Sequence, residues 1–151
     1  MKILLVDDDP SYRQAMELYL RTEGRSVVSA GDGAEALDKL KDSQIDFIIS
    51  DVYMPVMDGI KFHKAVQEVP DFAKIPFLFV SGFDDDHTME AVRASSGSTG
   101  FMKKARPVEE LEEWIVYLSS PPDKRPSFRP GMGMKPHLPD RSTRDTGRFG
   151  R

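Results

Sequence analysis

Ile45-Asp46-Phe47-Ile48-Ile49-Ser50-Asp51-Val52-Tyr53-Met54-Pro55-Val56-Met57-Asp58-Gly59 is the stretch that decides the fold. Its apolar run, Phe47-Ile48-Ile49, is short and ends at a carboxylate, Asp51. A loop with a proline follows, and then an Asp-Gly pair opens a new periodic segment. A short apolar run bounded by turn residues reads as a buried strand of a parallel sheet. Asp51 then stands at the carboxyl end of that strand, the edge where open α/β sheets place their chemistry.

Upstream, Met1–Val6 reads as a strand that ends in Asp7, Asp8 and Asp9 before Pro10. Ser11–Glu23 carries a helical stripe of Tyr12, Ala15, Met16, Tyr19 and Leu20, and Gly24 stops it. Arg25–Ala30 is a second strand. Asp32 caps the next helix, with Glu35 three positions on in a capping box, and Leu37 and Leu40 give its buried side. Downstream of Asp51, Asp58 caps a helix with the stripe Phe62, Ala65, Val66 and Val69, and Pro70 ends it. Pro76–Val80 is a fourth strand, followed by Ser81-Gly82. Asp84–Ser95 is a weakly amphipathic helix with Met89 and Val92 as its main apolar residues. Gly97–Gly100 reads as a loop and Phe101-Met102 as a minimal fifth strand. Pro107–Leu118 is the last helix, with Pro107 suited to its first turn and Val108, Leu111, Trp114, Ile115 and Leu118 in its stripe. Strand and helix alternate five times, which argues for a parallel sheet covered on both faces through right-handed crossovers.

The chain has 151 residues, enough for one domain with a good core. It contains no cysteine, which excludes a disulfide framework, a zinc–thiolate site and a thiol nucleophile, and suits a reducing compartment. No apolar run is long enough for a signal peptide or a membrane span, so a cytoplasmic location is expected. The net charge is −4, unevenly spread. Residues 119–151 hold eight Lys/Arg against three Asp, a net +5, which leaves −9 on residues 1–118. From Ser119 onward prolines and glycines recur and apolar periodicity is lost. The expected organisation is a domain over 1–118 and a disordered basic tail over 119–151. The tail reads as a passive extension, or as a docking segment for a protein, nucleic acid or acidic membrane; it lacks the aromatic interleaving of a nucleic-acid motif, so nucleic-acid contact is not favoured.

Strand ends of one polarity share an edge in a parallel sheet. Asp7 and Asp8, Asp51, Ser81 and the pair Lys103-Lys104 should therefore converge there. Clustered carboxylates need a cation, and oxygen ligands without His or Cys favour a hard ion, Mg²⁺. A metal beside a carboxylate, an ammonium and a hydroxyl suits phosphoryl transfer, with Asp51 as the nucleophile. His63 and His87 have no ligand partner at suitable spacing and read as solvated or locally bonded.

Four blocks in order, Val6-Asp7-Asp8-Asp9-Pro10, Asp51-Val52-Tyr53-Met54-Pro55-Val56-Met57-Asp58-Gly59, Val80-Ser81-Gly82 and Phe101-Met102-Lys103-Lys104, resemble a response-regulator receiver domain over roughly residues 1–118. The resemblance implies a flavodoxin-like (βα)5 doubly wound parallel sheet with strand order 2-1-3-4-5. It implies that Asp51 accepts a phosphoryl group from a sensor histidine kinase or a phosphotransfer protein. Asp8 would bind Mg²⁺ directly, Asp7 through water, and the Tyr53 backbone carbonyl would be a further ligand beside Asp51. Ser81 and Lys104 would contact the phosphoryl group, and Phe101 would be an aromatic switch moving with Ser81; Phe101 is also readable as plain core. Ala105 stands where the family usually has proline after its lysine, and Lys103 is an alternative to Lys104. Gly82 would leave room for the phosphodonor, while Tyr53 and Phe83 would shield the acyl phosphate.

The expected function is a stand-alone response regulator, not an enzyme beyond Mg²⁺-assisted self-phosphorylation and self-dephosphorylation. It would switch the binding of an unidentified output protein through helix Asp84–Ser95, the Phe101 strand and helix Pro107–Leu118. The alternatives are a pseudo-receiver regulated without phosphate, a Mg²⁺-dependent phosphohydrolase and a DNA-binding regulator acting through the tail. A phosphohydrolase would need a second acid two residues after its nucleophile, where this chain has Tyr53.

Overall fold

The computed structural model describes residues 1–95, 98–127 and 129–130. Five parallel strands form one sheet in the order β2-β1-β3-β4-β5. They are β1 (Lys2–Val6), β2 (Ser26–Ala30), β3 (Phe47–Ser50), β4 (Phe77–Ser81) and β5 (Thr99–Lys103). The helices are α1 (Pro10–Thr22), α2 (Gly33–Asp42), α3 (Gly59–Gln67), α4 (Pro70–Ala73), α5 (Asp86–Ala94) and α6 (Val108–Ser119). The expected flavodoxin-like arrangement is the one observed.

Each strand alternates its side chains between two cores, as the period of two demands. Ile3, Leu5, Phe47, Ile49, Leu78, Val80 and Met102 point to the face covered by α1 and α6. Leu4, Val6, Ile48, Phe77 and Phe79 point to the face covered by α2, α3, α4 and α5. Every residue of β3 and β4 is buried, which explains their uninterrupted apolar reading.

Local chemistry sets the helix ends. Asp9 caps α1 by accepting from the Ser11 N–H at 3.0 Å, with Pro10 in the first turn. Asp32 accepts from the Glu35 N–H at 2.9 Å, and Glu35 reaches back to the Gly31 N–H at 2.7 Å, one residue before the cap. Gly24 follows α1 with a φ of 88°, a left-handed conformation that glycine adopts without steric cost.

The sequence reading needs adjusting in several places. Pro70 ends α3 but also starts the four-residue α4, because its fixed φ suits a first helical turn. β5 is longer than Phe101-Met102, since Thr99 and Lys103 pair with Phe77 and Ser81 through backbone bonds that need no apolar side chain. Pro107 is the N-cap of α6 and lies outside its first turn. Residues 119–130 are not featureless where described: α6 runs to Ser119 and a 3-10 turn covers Pro122–Lys124. The rest of the expected tail, Met132-Gly133-Met134 included, and Gly97 of the expected loop lie outside the described residues. His63 is buried, not solvated: its Nε2 is 3.1 Å from the Thr99 Oγ1.

Candidate functional site

The carboxyl ends of β1 and β3 are laced together. The Asp51 N–H donates to the Val6 carbonyl at 2.9 Å, and the Asp7 N–H donates to the Ala30 carbonyl at 3.0 Å. Both aspartates are thereby fixed at one edge, and both are buried. Gly59 completes the placement. Its N–H donates to the Val52 carbonyl at 2.6 Å, and a Cβ there would collide with the Asp51 carbonyl oxygen. Only glycine lets the start of α3 approach the end of β3 so closely.

Lys104 joins the cluster from β5. Its N–H donates to the Ser81 carbonyl at 2.8 Å, which ties it to the end of β4. Its Nζ lies 2.8 Å from Asp7 Oδ2 and 3.0 Å from Asp51 Oδ2. The other oxygens are held by the backbone: Asp7 Oδ1 accepts from the Asp9 N–H at 2.9 Å, and Asp51 Oδ1 from the Val52 N–H at 2.7 Å. Lys103 points elsewhere and pairs with Asp84 at 3.3 Å. Among the two lysines, then, Lys104 reaches the aspartates. Ala105 does not prevent this. There is no cis peptide among the described residues, and the Arg106 N–H closes a turn on the Lys103 carbonyl at 3.1 Å.

Carboxylate oxygens of Asp7, Asp8 and Asp51 all lie within 4.8 Å of one another. Asp8 is exposed while the other two are buried. Burial lifts the Asp7 carboxyl above its ordinary pKa; bonds to Lys104 and Asp9 pull it down, and the charge of Asp51 adds to the rise. Burial also works against the Lys104 ammonium, but its bonds to Asp7 and Asp51 outweigh this and its pKa is raised. Three acids facing one ammonium leave an excess of negative charge that a hard cation would neutralise. The oxygen-only donor set fits Mg²⁺.

Ser81 is buried at the end of β4, beside the cluster in the sheet order. Phe101 is half-buried and packs against the core under α5. Tyr53 and Phe83 are both exposed, with ring centroids 5.2 Å apart, and open space lies around Gly82. The sequence did not single out two supporting residues. The Lys104 Nζ sits 4.4 Å from the centroid of the Tyr12 ring, and the Arg13 guanidinium donates to the Asp7 carbonyl. Tyr12 read as an ordinary member of a helical stripe; its position one turn after Asp9 was the available signal. Burial pushes its hydroxyl up to about 12.

Comparisons with known proteins agree with this geometry. A family profile described as the response regulator receiver domain matches residues 3–116. An uncharacterised 14.6 kDa protein in the sodA1 3' region of Leptolyngbya boryana is 32% identical over 124 residues, covering 82% of this chain and 95% of that protein. Chemotaxis protein CheV3 of Helicobacter pylori is 33% identical over 113 residues, which cover 68% of this chain but only 36% of CheV3. Among solved structures, Vibrio cholerae chemotaxis protein CheY4 superimposes with a TM-score of 0.71 at 36% identity, over 78% of this chain and 97% of that one. With the fold, the strand order and the profile in agreement, this chain belongs to the response-regulator receiver domain family of two-component signalling.

Proposed function

We propose that Asp51 accepts a phosphoryl group from a phosphohistidine on a sensor kinase or phosphotransfer protein, in a reaction that needs Mg²⁺. The observation that carries this reading is Lys104 Nζ shared between Asp7 and Asp51, at 2.8 and 3.0 Å. The shared ammonium holds the nucleophilic carboxylate in place and is positioned to follow negative charge as it arrives. Asp7, Asp8 and Asp51, with the Tyr53 backbone carbonyl, would hold the ion, which when bound supplies positive charge to the equatorial phosphoryl oxygens.

In the transfer, an Asp51 carboxylate oxygen forms a bond to phosphorus as the phosphorus–nitrogen bond of the donor breaks. Lys104 then exchanges its bond to Asp51 for one to a phosphoryl oxygen while keeping Asp7. The Ser81 hydroxyl donates a second bond to the same group. Phosphorylation adds roughly two negative charges at the edge. Ser81, Phe101 and the face formed by α5, β5 and α6 respond to that charge, and an output protein reads the response. The neighbouring rings of Tyr53 and Phe83 shield the acyl phosphate, while the space at Gly82 admits the donor.

Intact-protein mass after incubation with acetyl phosphate tests the reading, with and without Mg²⁺ and beside Asp51→Ala. A single phosphoryl adduct that requires both Mg²⁺ and Asp51 is expected. Followed over time, the adduct should decay several-fold faster in Tyr53→Ala. Folded protein that stays unmodified by both acetyl phosphate and a phosphorylated histidine donor would point instead to a pseudo-receiver.

A further inference from the structure

The chain does not leave the domain when α6 ends. Arg125 donates from Nε to the Ser120 carbonyl at 3.1 Å and from Nη2 to the Leu118 carbonyl at 3.3 Å. Its guanidinium also lies 5.2 Å from the centroid of the Tyr117 ring. These contacts occupy the carbonyls at the carboxyl end of α6 and turn the chain back along the domain. Arg129 Nη2 then donates to the carbonyl of Thr99, the first residue of β5, at 3.2 Å, and Pro130 is buried.

Arg129 and Pro130 thereby form one wall of a cavity of about 360 Å³ between α5, β5 and α6, with Met89, Phe101 and Trp114 as its apolar part. Four of the charges at its rim pair off, Asp84 with Lys103 at 3.3 Å and Glu110 with Arg106 at 2.6 Å, and Arg129 adds one positive charge. Trp114 is held against the strand because a Cβ on Gly100 would collide with its ring. Its buried indole N–H finds no acceptor among the described residues. The groove is thus apolar within and carries one positive charge in excess at its rim.

We propose that the chain's own C-terminal segment, from Arg129 through Gly131-Met132-Gly133-Met134-Lys135, is an intramolecular ligand of this groove. The occupant is specified by where it starts and by what it is made of. It begins at Pro130, already in the wall. Its first four further residues are two glycines and two methionines, and carry no charge until Lys135. Methionine fills irregular apolar space, and glycine lets the backbone lie close against the floor. Four extended residues reach about 13 Å, enough to cross such a groove. The arginine-rich stretch from 141 onward would add positive charge to a rim that already has an excess of it, and does not match the apolar floor. The functional meaning of this docking rests on the phosphoacceptor reading, because Phe101 lines the same groove. An output protein binding there would have to displace the segment.

A nitroxide on Lys135→Cys tests the proposal in the full chain, which has no other cysteine and a single tryptophan. In a ¹⁵N-labelled monomer, the Trp114 indole signal and the Met89 and Phe101 amide signals should lose more than half their intensity. The Leu40 amide, on the far side of the sheet order, should not. Introducing Met132→Ser and Met134→Ser should restore most of the lost signal. Broadening that Met132→Ser and Met134→Ser leave unchanged, or that spreads evenly over the domain, would overturn the proposal. So would broadening of a ¹⁵N chain by a labelled ¹⁴N chain, which would place the segment on a second copy. None of these readouts involves a phosphoryl group, so failure of the docking and failure of the phosphoacceptor reading are separate results.

Discussion

The two faces of the sheet are covered differently. On one, two long helices, α1 with 13 residues and α6 with 12, close over a largely aliphatic core with Phe47 and Trp114. On the other, four shorter helices close over a core built around Phe62, Phe77 and Phe79, with a histidine buried among the rings. The contrast is clearest in the two helices that flank β5: α6 buries Glu110, Leu111, Trp114, Ile115 and Leu118, whereas α5 buries only Thr88 and Val92. Of the two, α6 is the more deeply seated. The short-helix face carries α5 and Phe101, two of the parts proposed to respond to charge on Asp51.

The largest test of that contrast is a pair of truncations. Leu111→Ala empties a fully buried position on α6 and should cost about 3 kcal/mol in urea unfolding. Val92→Ala on α5 should cost about 1.5 kcal/mol, the transfer value for two methylenes. Its hydrogen-exchange effect should stay within α5 instead of spreading through the domain. Equal losses of global stability in the two variants would break the contrast between the faces.

The parts of the protein that were legible in the sequence are those governed by local pattern. Phe47-Ile48-Ile49 and Phe77–Val80 could only be buried strands, and each carboxylate or hydroxyl that follows such a run lands on the same edge. That logic located Asp7, Asp51 and Ser81 without coordinates. Lys104 needed the resemblance to separate it from Lys103, and the structure shows the physical basis: neighbouring residues at a strand end diverge, one to the aspartates and one to Asp84. Burial of His63 was not legible, because it depends on Thr99, 36 residues away, and on two rings of β4. The return of Arg125 and Arg129 onto the domain was hidden for a different reason. Proline and charge signal a lack of periodic structure, yet single guanidinium groups can still find carbonyls at a helix end or a strand start.

His63 sharpens the contrast through pH. Its ring packs edge-on to Phe77 at 4.8 Å, and burial lowers its pKa to about 4. The unfolded chain takes up a proton near pH 6.5 that the folded chain refuses until about pH 4. Between those values the unfolded state binds more protons, so stability is complete above pH 6.5 and falls as the pH drops. The loss from pH 7 to pH 5 should be about 2 kcal/mol. His63→Gln should remove most of that dependence. If the slope survives unchanged, the short-helix face is not the source of the acid sensitivity.

The smallest effect is expected in the loop after Asp51. Val56 has a φ of 67°, and the Met57 N–H bonds the Pro55 carbonyl across it at 2.7 Å, which closes a three-residue turn. A β-branched residue pays for this conformation through contact between its Cβ and the backbone, and gains little in return because its side chain is 84% exposed. The Asp58 cap of α3 and the close seat of Gly59 hold the turn from the far side. Val56→Asn keeps an exposed side chain and tolerates a positive φ, so it should raise the urea unfolding free energy by about 1 kcal/mol. A gain would locate stored strain at the rim of the short-helix face, beside the proposed phosphoacceptor, where a loop under tension would yield if charge arrives on Asp51. A neutral or destabilising result would mean that the turn is relaxed as it stands, and would leave α5 and Phe101 as the elements through which that face responds.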